Sequence, residues 1–121
     1  MKKFYLLLLI FLSNFGISQN LLTNGDFENG TTGWAFGSPG VVASGEAFYS
    51  NTNLGGNPWD TQLVQANMTF TAGTSYTLTF KARAAVNRNI TVAIQNVGIW
   101  DDQFRQSYAL TTTMQTFTNT F

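Results

Sequence analysis

Gly73-Thr-Ser-Tyr-Thr-Leu-Thr-Phe-Lys-Ala-Arg-Ala84 alternates apolar and polar residues by twos. Tyr76, Leu78, Phe80, Ala82 and Ala84 fall on one side of an extended chain, and Ser75, Thr77, Thr79, Lys81 and Arg83 on the other. Successive side chains of a strand point to opposite faces, so this segment reads as a strand with one buried and one solvated face. Ala72-Gly73 supplies the turn that leads into it.

The same period continues outward. Residues 83–89 read as a loop, and a second strand follows with Ile90, Val92 and Ile94 inward and Thr91, Ala93 and Gln95 outward. Further strands are expected near Val41–Val42, Ala47–Asn51, Gln62–Phe70 and Tyr108–Leu110. No segment carries a 3.6-residue apolar period. Short strands at regular intervals, split by Gly and Asn turns, predict an all-β chain folded as a sandwich or jelly roll. At the end, Phe117, Asn119 and Phe121 alternate with Thr116, Thr118 and Thr120. A strand that stops at its own Phe leaves an open edge. The sandwich is therefore expected to be truncated at its C-terminus, with one or more closing strands beyond Phe121.

Residues 1–18 read as a secretory signal peptide. Lys2 and Lys3 precede an apolar run, Phe4–Leu12, that is short for a bilayer span of about 20 residues. Gly16 and Ser18 are small residues at the −3 and −1 positions of a cut after Ser18. The other reading of this run is an N-terminal membrane anchor. With the signal removed, residues 19–121 form one domain, expected to be secreted or cell-surface and away from the membrane. Lys81, Arg83, Arg88 and Arg105 stand against Asp26, Glu28, Glu46, Asp60, Asp101 and Asp102. So few, scattered cations give no footprint for nucleic acid. The chain has no Cys and no His. Disulfides are excluded, and so are histidine-based triads and the commonest transition-metal ligand.

Three pieces stand out in order: Asn24-Gly-Asp-Phe-Glu-Asn-Gly30 with Trp34, then Asn57-Pro-Trp-Asp-Thr-Gln62, then Gly73 to Ala84. With these pieces the chain resembles the carbohydrate-binding modules of the family 4/9/16/22 group, the cellulose- and xylan-binding modules attached to bacterial glycoside hydrolases. The resemblance covers most of residues 20–121. It implies a jelly roll whose concave sheet face binds a polysaccharide or oligosaccharide such as xylan, β-glucan or a cellulose-like chain. Aromatic rings pack on the C–H faces of a pyranose, and amides or carboxylates bond its hydroxyl belt.

On this resemblance Trp59, in a Gly-Gly-Asn-Pro loop context, is the stacking residue, and Gln62 aims its amide at a hydroxyl. Trp100 forms an opposite wall, with Gln103 and Arg105 as donors; the stretch around it matches the family less closely. The alternative for both Trp residues is packing in the core or under loops. Trp34 is expected to be structural. The resemblance also implies a structural calcium ion, Ca2+, with Glu28 supplying a carboxylate and Asp26 a backbone or side-chain oxygen; Glu46, in Ser44-Gly-Glu-Ala, is the candidate partner from the next strand. Hard oxygen donors suit that ion. The alternative is that Asp26 and Glu28 satisfy turn amides. A covalently attached catalytic domain is the implied partner.

The chain itself is not expected to be an enzyme. A glycosidase needs two convergent carboxylates, about 5–9.5 Å apart. Asp101 and Asp102, if on one strand, point to opposite faces. Asp60 with Asp101 has no recognisable catalytic context, and no nucleophile elbow, phosphate loop or zinc motif is present. A competing function is an adhesive or structural sandwich module of a secreted or surface protein.

Overall fold

The computed structural model describes residues 19–36, 40–50 and 55–121. The signal-peptide reading of residues 1–18 lies outside the described residues, as does Asn51, the expected end of the strand read over Ala47–Asn51. Among the described residues, eight strands account for the regular structure, with one 3-10 turn at Pro58–Asp60. They are β1 (Ala35–Phe36), β2 (Val41–Ala43), β3 (Glu46–Phe48), β4 (Leu63–Val64), β5 (Thr77–Ala82), β6 (Arg88–Asn96), β7 (Asp101–Leu110) and β8 (Gln115–Thr120). Every pairing is antiparallel: β1 with β4, β2 with β3, β5 with β8, and β6 with β7. The expected all-β class holds. The chain divides into two compact units, one through Thr69 and one from Phe70 to Phe121.

The first unit is built from turns. Asn24 is its hub. Its side-chain amide donates to Gly30 O and Thr32 O, both at 2.9 Å, and its Oδ1 accepts from Asn29 N–H at 3.0 Å. Its backbone oxygen takes the Trp34 indole N–H at 2.9 Å, and Trp34 packs against Phe27 with ring centroids 5.4 Å apart. Trp34 is thus structural, as expected. Asn24 can do this because it tolerates the left-handed region, where it sits at φ 49. Gln65 completes the unit by imitating a strand: Thr23 N–H donates to its Oε1, and its Nε2 donates to Thr23 O, each at 2.8 Å. Ser44 and Gly45 join β2 to β3 at φ 54 and 70. Two successive positive φ values mark a type I′ turn, which matches the twist of a hairpin.

The second unit holds the apolar core. β5 shows the alternating burial that its sequence dictates, and so does β8. Their outer faces are lined by threonines, with Thr77–Thr120 and Thr79–Thr118 hydroxyl pairs at 3.2 and 3.1 Å. Their inner faces are aromatic. Phe80 stacks on Phe117 at 5.2 Å, and both meet Tyr108 of β7 at 5.0 Å. Tyr108 and Leu110 are the buried hydrophobic side chains among the described residues. The Tyr108 hydroxyl, otherwise costly to bury, donates to Asn119 Oδ1 at 2.6 Å. Aromatic pairs and this hydrogen bond therefore tie the β5–β8 ribbon to the β6–β7 ribbon.

Three expectations shift. The loop read over residues 83–89 is shorter, because β6 already begins at Arg88, paired with Leu110. The strand read over Gln62–Phe70 is confined to Leu63–Val64, because Gln65 turns its amide onto Thr23 instead of continuing a ladder. The strand read at Tyr108–Leu110 begins seven residues earlier, at Asp101. Its first half is polar in sequence, and a bulge between Ile94 and Gln95 breaks its register, so no clean alternation marks it.

Candidate functional site

The sequence-derived sugar contacts fall into two groups, one in each unit. In the first, Trp59 occupies the middle of the 3-10 turn Pro58–Asp60 and is 61% exposed. The turn is held by Asp60, whose Oδ2 accepts from Asn57 N–H at 2.9 Å, while Asp60 N–H donates to Asn57 O at 3.1 Å. Gly55, at φ 69, lies against the same carboxylate, and a Cβ there would overlap it. Asp60 thus spends its carboxylate on fixing the backbone beneath the indole. Gln62 follows, exposed, with its backbone oxygen accepting from the Tyr49 hydroxyl. Tyr49 packs on Phe36 with ring centroids 5.5 Å apart. The loop carrying Trp59 and Gln62 is therefore anchored at both ends while the two side chains remain exposed.

In the second unit, Val97-Gly98-Ile99-Trp100 forms the turn between β6 and β7. Trp100 N–H donates to Asn96 O at 2.9 Å. Its φ of 53 is left-handed, which is an outlier for a bulky aromatic residue and costs on the order of 1–2 kcal/mol. Trp100 is nevertheless 70% exposed, so no buried contact of its own ring offsets that cost. Strain of this kind at an exposed position is typical of functional sites. Val97 and Ile99 beside it are each 72% exposed.

The donors expected near Trp100 are placed by the bulge. Ala93 pairs with Arg105, Ile94 with Phe104, and Gln95 with Asp102, which leaves Gln103 unpaired. Ala93 and Gln95 share a face, so their partners Arg105 and Asp102 share one too. They meet as an ion pair, with Nε to Oδ2 at 2.5 Å and Nη2 to Oδ1 at 3.2 Å. Gln95 Nε2 adds a third bond to Asp102 Oδ1 at 2.8 Å. These bonds hold the Asp102 carboxyl below its ordinary range, chiefly through Arg105 and then through Gln95. Gln103 donates to Asp101 Oδ2 at 2.9 Å. Asp101 and Asp102 do share a strand, and each has its own partner rather than a common target.

The calcium candidates also sit in the first unit. Asp26 Oδ1 accepts from Glu28 N–H at 3.3 Å, so its side chain satisfies the turn. Its backbone oxygen lies 3.4 Å, and Glu28 Oε1 3.9 Å, from the point that a Cβ on Gly45 would occupy. Both oxygens thus lie near Gly45, and hard oxygen donors of this kind suit calcium. Glu46 opens β3 opposite Ala43. Among the described residues, no three acidic side chains converge on a metal position, so this donor set is a partial one.

A family model for a carbohydrate binding domain, CBM_4_9, matches residues 19–121. The chain belongs to that family. It is also similar to a solved structure titled "CBM4 structure and function", at 31% identity and a TM-score of 0.62, covering 87% of this chain and 72% of that one. No curated protein matches it. The all-β sandwich expected from the alternating strands is thus the fold of a carbohydrate-binding module. Modules of this kind are non-catalytic, and they bind polysaccharide or oligosaccharide.

Sequence reasoning missed Asp60 as the clamp under Trp59 and Asp102 as the partner of Arg105. The first carried a signal: Asn57 and Asp60 are spaced as a cap and its N3 acceptor. The second carried none, because residues three apart on a regular strand face opposite ways.

Proposed function

We propose that this module binds a polysaccharide such as xylan, β-glucan or a cellulose-like chain by stacking on Trp59 and Trp100. Gln62 in the first unit, and Gln103 and Arg105 in the second, would supply hydrogen bonds to the hydroxyls. The observation that carries the reading is the exposure of these two indoles, 61% and 70%, in a chain whose third indole, Trp34, packs against Phe27. An exposed aromatic ring held on a fixed backbone loses little freedom on binding, which suits a stacking platform. On the same reading the protein is exported, brings an attached or partner glycoside hydrolase to its substrate, and holds Ca2+ with Asp26, Glu28 and Glu46. The nearness of the Asp26 backbone oxygen and the Glu28 carboxylate at Gly45 supports the calcium part, and the ion would need further donors to complete its shell.

Affinity gel electrophoresis against soluble xylan, β-glucan and laminarin tests the proposal. Retardation by at least one glycan, reduced by Trp59→Ala and by Trp100→Ala, is expected. Absence of retardation by every glycan, for folded protein, would sink it. A second reading, an adhesive or structural module, draws on Val97 and Ile99, because exposed aliphatic side chains have no face to offer a sugar ring. It predicts that the two Trp substitutions leave glycan retention unchanged, and that changing Val97 and Ile99 to Ser disrupts a protein contact.

A further inference from the structure

The β6–β7 hairpin carries an exposed polar group that stacking does not explain. Asp102 receives the Arg105 guanidinium through two nitrogens and the Gln95 amide through a third. An unpaired arginine fork on an exposed strand of the same hairpin as Trp100 would be a ready partner for carboxylate or sulfate groups on an acidic polysaccharide. Here the fork is already occupied. Asp101, one residue away, adds a second negative charge, so the hairpin's mouth holds one cation against two anions. A neutral pyranose, by contrast, still finds the remaining guanidinium N–H groups and the Gln95 carbonyl oxygen.

We infer that Asp102 is a specificity residue: by holding Arg105, it turns acidic polysaccharides away from this surface and leaves neutral ones. The inference rests on the reading that Trp100 and Arg105 contact glycan. It goes beyond it in assigning Asp102 a discriminating role rather than a binding one, since specificity comes as much from repulsion of the wrong ligand as from attraction of the right one.

The test compares retardation by neutral β-glucan and by polygalacturonate for the wild type, Asp102→Asn, Asp101→Asn, and the double variant Asp102→Asn/Arg105→Gln. Asp101→Asn makes the same change in net charge but leaves the Arg105 pair intact. Asp102→Asn is expected to tighten polygalacturonate binding about two- to fivefold, the scale of one exposed ion pair. That gain should fade at roughly 0.2 M salt through screening, and it should vanish in the double variant. Asp101→Asn should gain less. Equal gains for Asp101→Asn and Asp102→Asn would overturn the inference, because net charge alone would then explain them. So would wild-type protein that prefers polygalacturonate to β-glucan. If the wild type is retained by no neutral glycan while polygalacturonate results are as expected, the stacking reading fails instead, and the preference assigned to Asp102 falls with it.

Discussion

Replacing Asn24 should damage the first unit more than any other single polar substitution in its turn. The side chain makes three hydrogen bonds, to Gly30 O, Thr32 O and Asn29 N–H. Most of them are exposed, so each contributes about 0.5–1 kcal/mol rather than the buried value. Together they amount to about 2 kcal/mol. Ala at a φ of 49 adds about 1 kcal/mol of backbone cost that Asn tolerates. Asn24→Ala should therefore destabilise by about 3 kcal/mol, a fall in Tm of about 12 °C or more for a domain of this size. Asn24→Gly removes the bonds but not the backbone freedom, so its cost should be about 2 kcal/mol. Asn24→Asp keeps the acceptor for Asn29 and sets a carboxylate against two carbonyl oxygens, so it should exceed Asn24→Gly. Urea unfolding followed by Trp fluorescence reads the series, since the Trp34 indole is bonded to Asn24 O. An Asn24→Ala change of less than about 0.5 kcal/mol, or an Asn24→Gly variant no more stable than Asn24→Ala, would refute the reasoning.

Three further outcomes follow from the same structure. Leu110, 5% exposed, should cost about 2–4 kcal/mol on truncation to Ala, read by urea denaturation; a cost under about 1 kcal/mol would mean that the core lies elsewhere. Gly55→Ala and Asp60→Ala both disturb the clamp under Trp59, so each should weaken glycan retention about threefold or more with a smaller effect on stability; retention equal to wild type would show that the turn holds itself. A chelator should lower the Tm and added calcium restore it, with Glu28→Gln abolishing the response; a Tm indifferent to chelator would remove calcium from the account.

The strands that were legible in the sequence were those whose two faces differ in chemistry. β5 and β8 put Phe80 and Phe117 inward and threonines outward, so period two wrote each strand and its buried face, while their pairing with each other left no such mark. β7 was only half legible. Its inward positions Phe104, Tyr108 and Leu110 are apolar, but the bulge shifts the phase between Asp102 and Phe104, and a phase shift erases alternation. β4 was overextended because Gln65 and Asn67 look like polar strand positions, while Gln65 in fact clasps Thr23, 42 residues away. Such long-range side-chain to backbone bonds leave no local pattern. The site divides in the same way. The exposure of Trp59 could be anticipated from its loop context, whereas the polar-aromatic stretch around Trp100 left packing in the core open. What Asp60 and Asp102 do could not, since one depends on a glycine's clearance and the other on a register shift.

The central claim is that an exposed indole on a fixed turn grips a sugar chain. Isothermal titration of wild type and Trp59→Ala with the glycan that retards the protein most tests it directly. A fully covered aromatic ring buries about 150–250 Å², and Trp59 is 61% exposed, so a sugar face covering half of the open indole removes about 70 Å² from water. At about 25–30 cal/mol per Å² this is about 2 kcal/mol, or about thirtyfold in Kd. A thirtyfold weaker Kd at unchanged Tm is the predicted result. An unchanged Kd, in a variant that folds as the wild type does, would contradict the account.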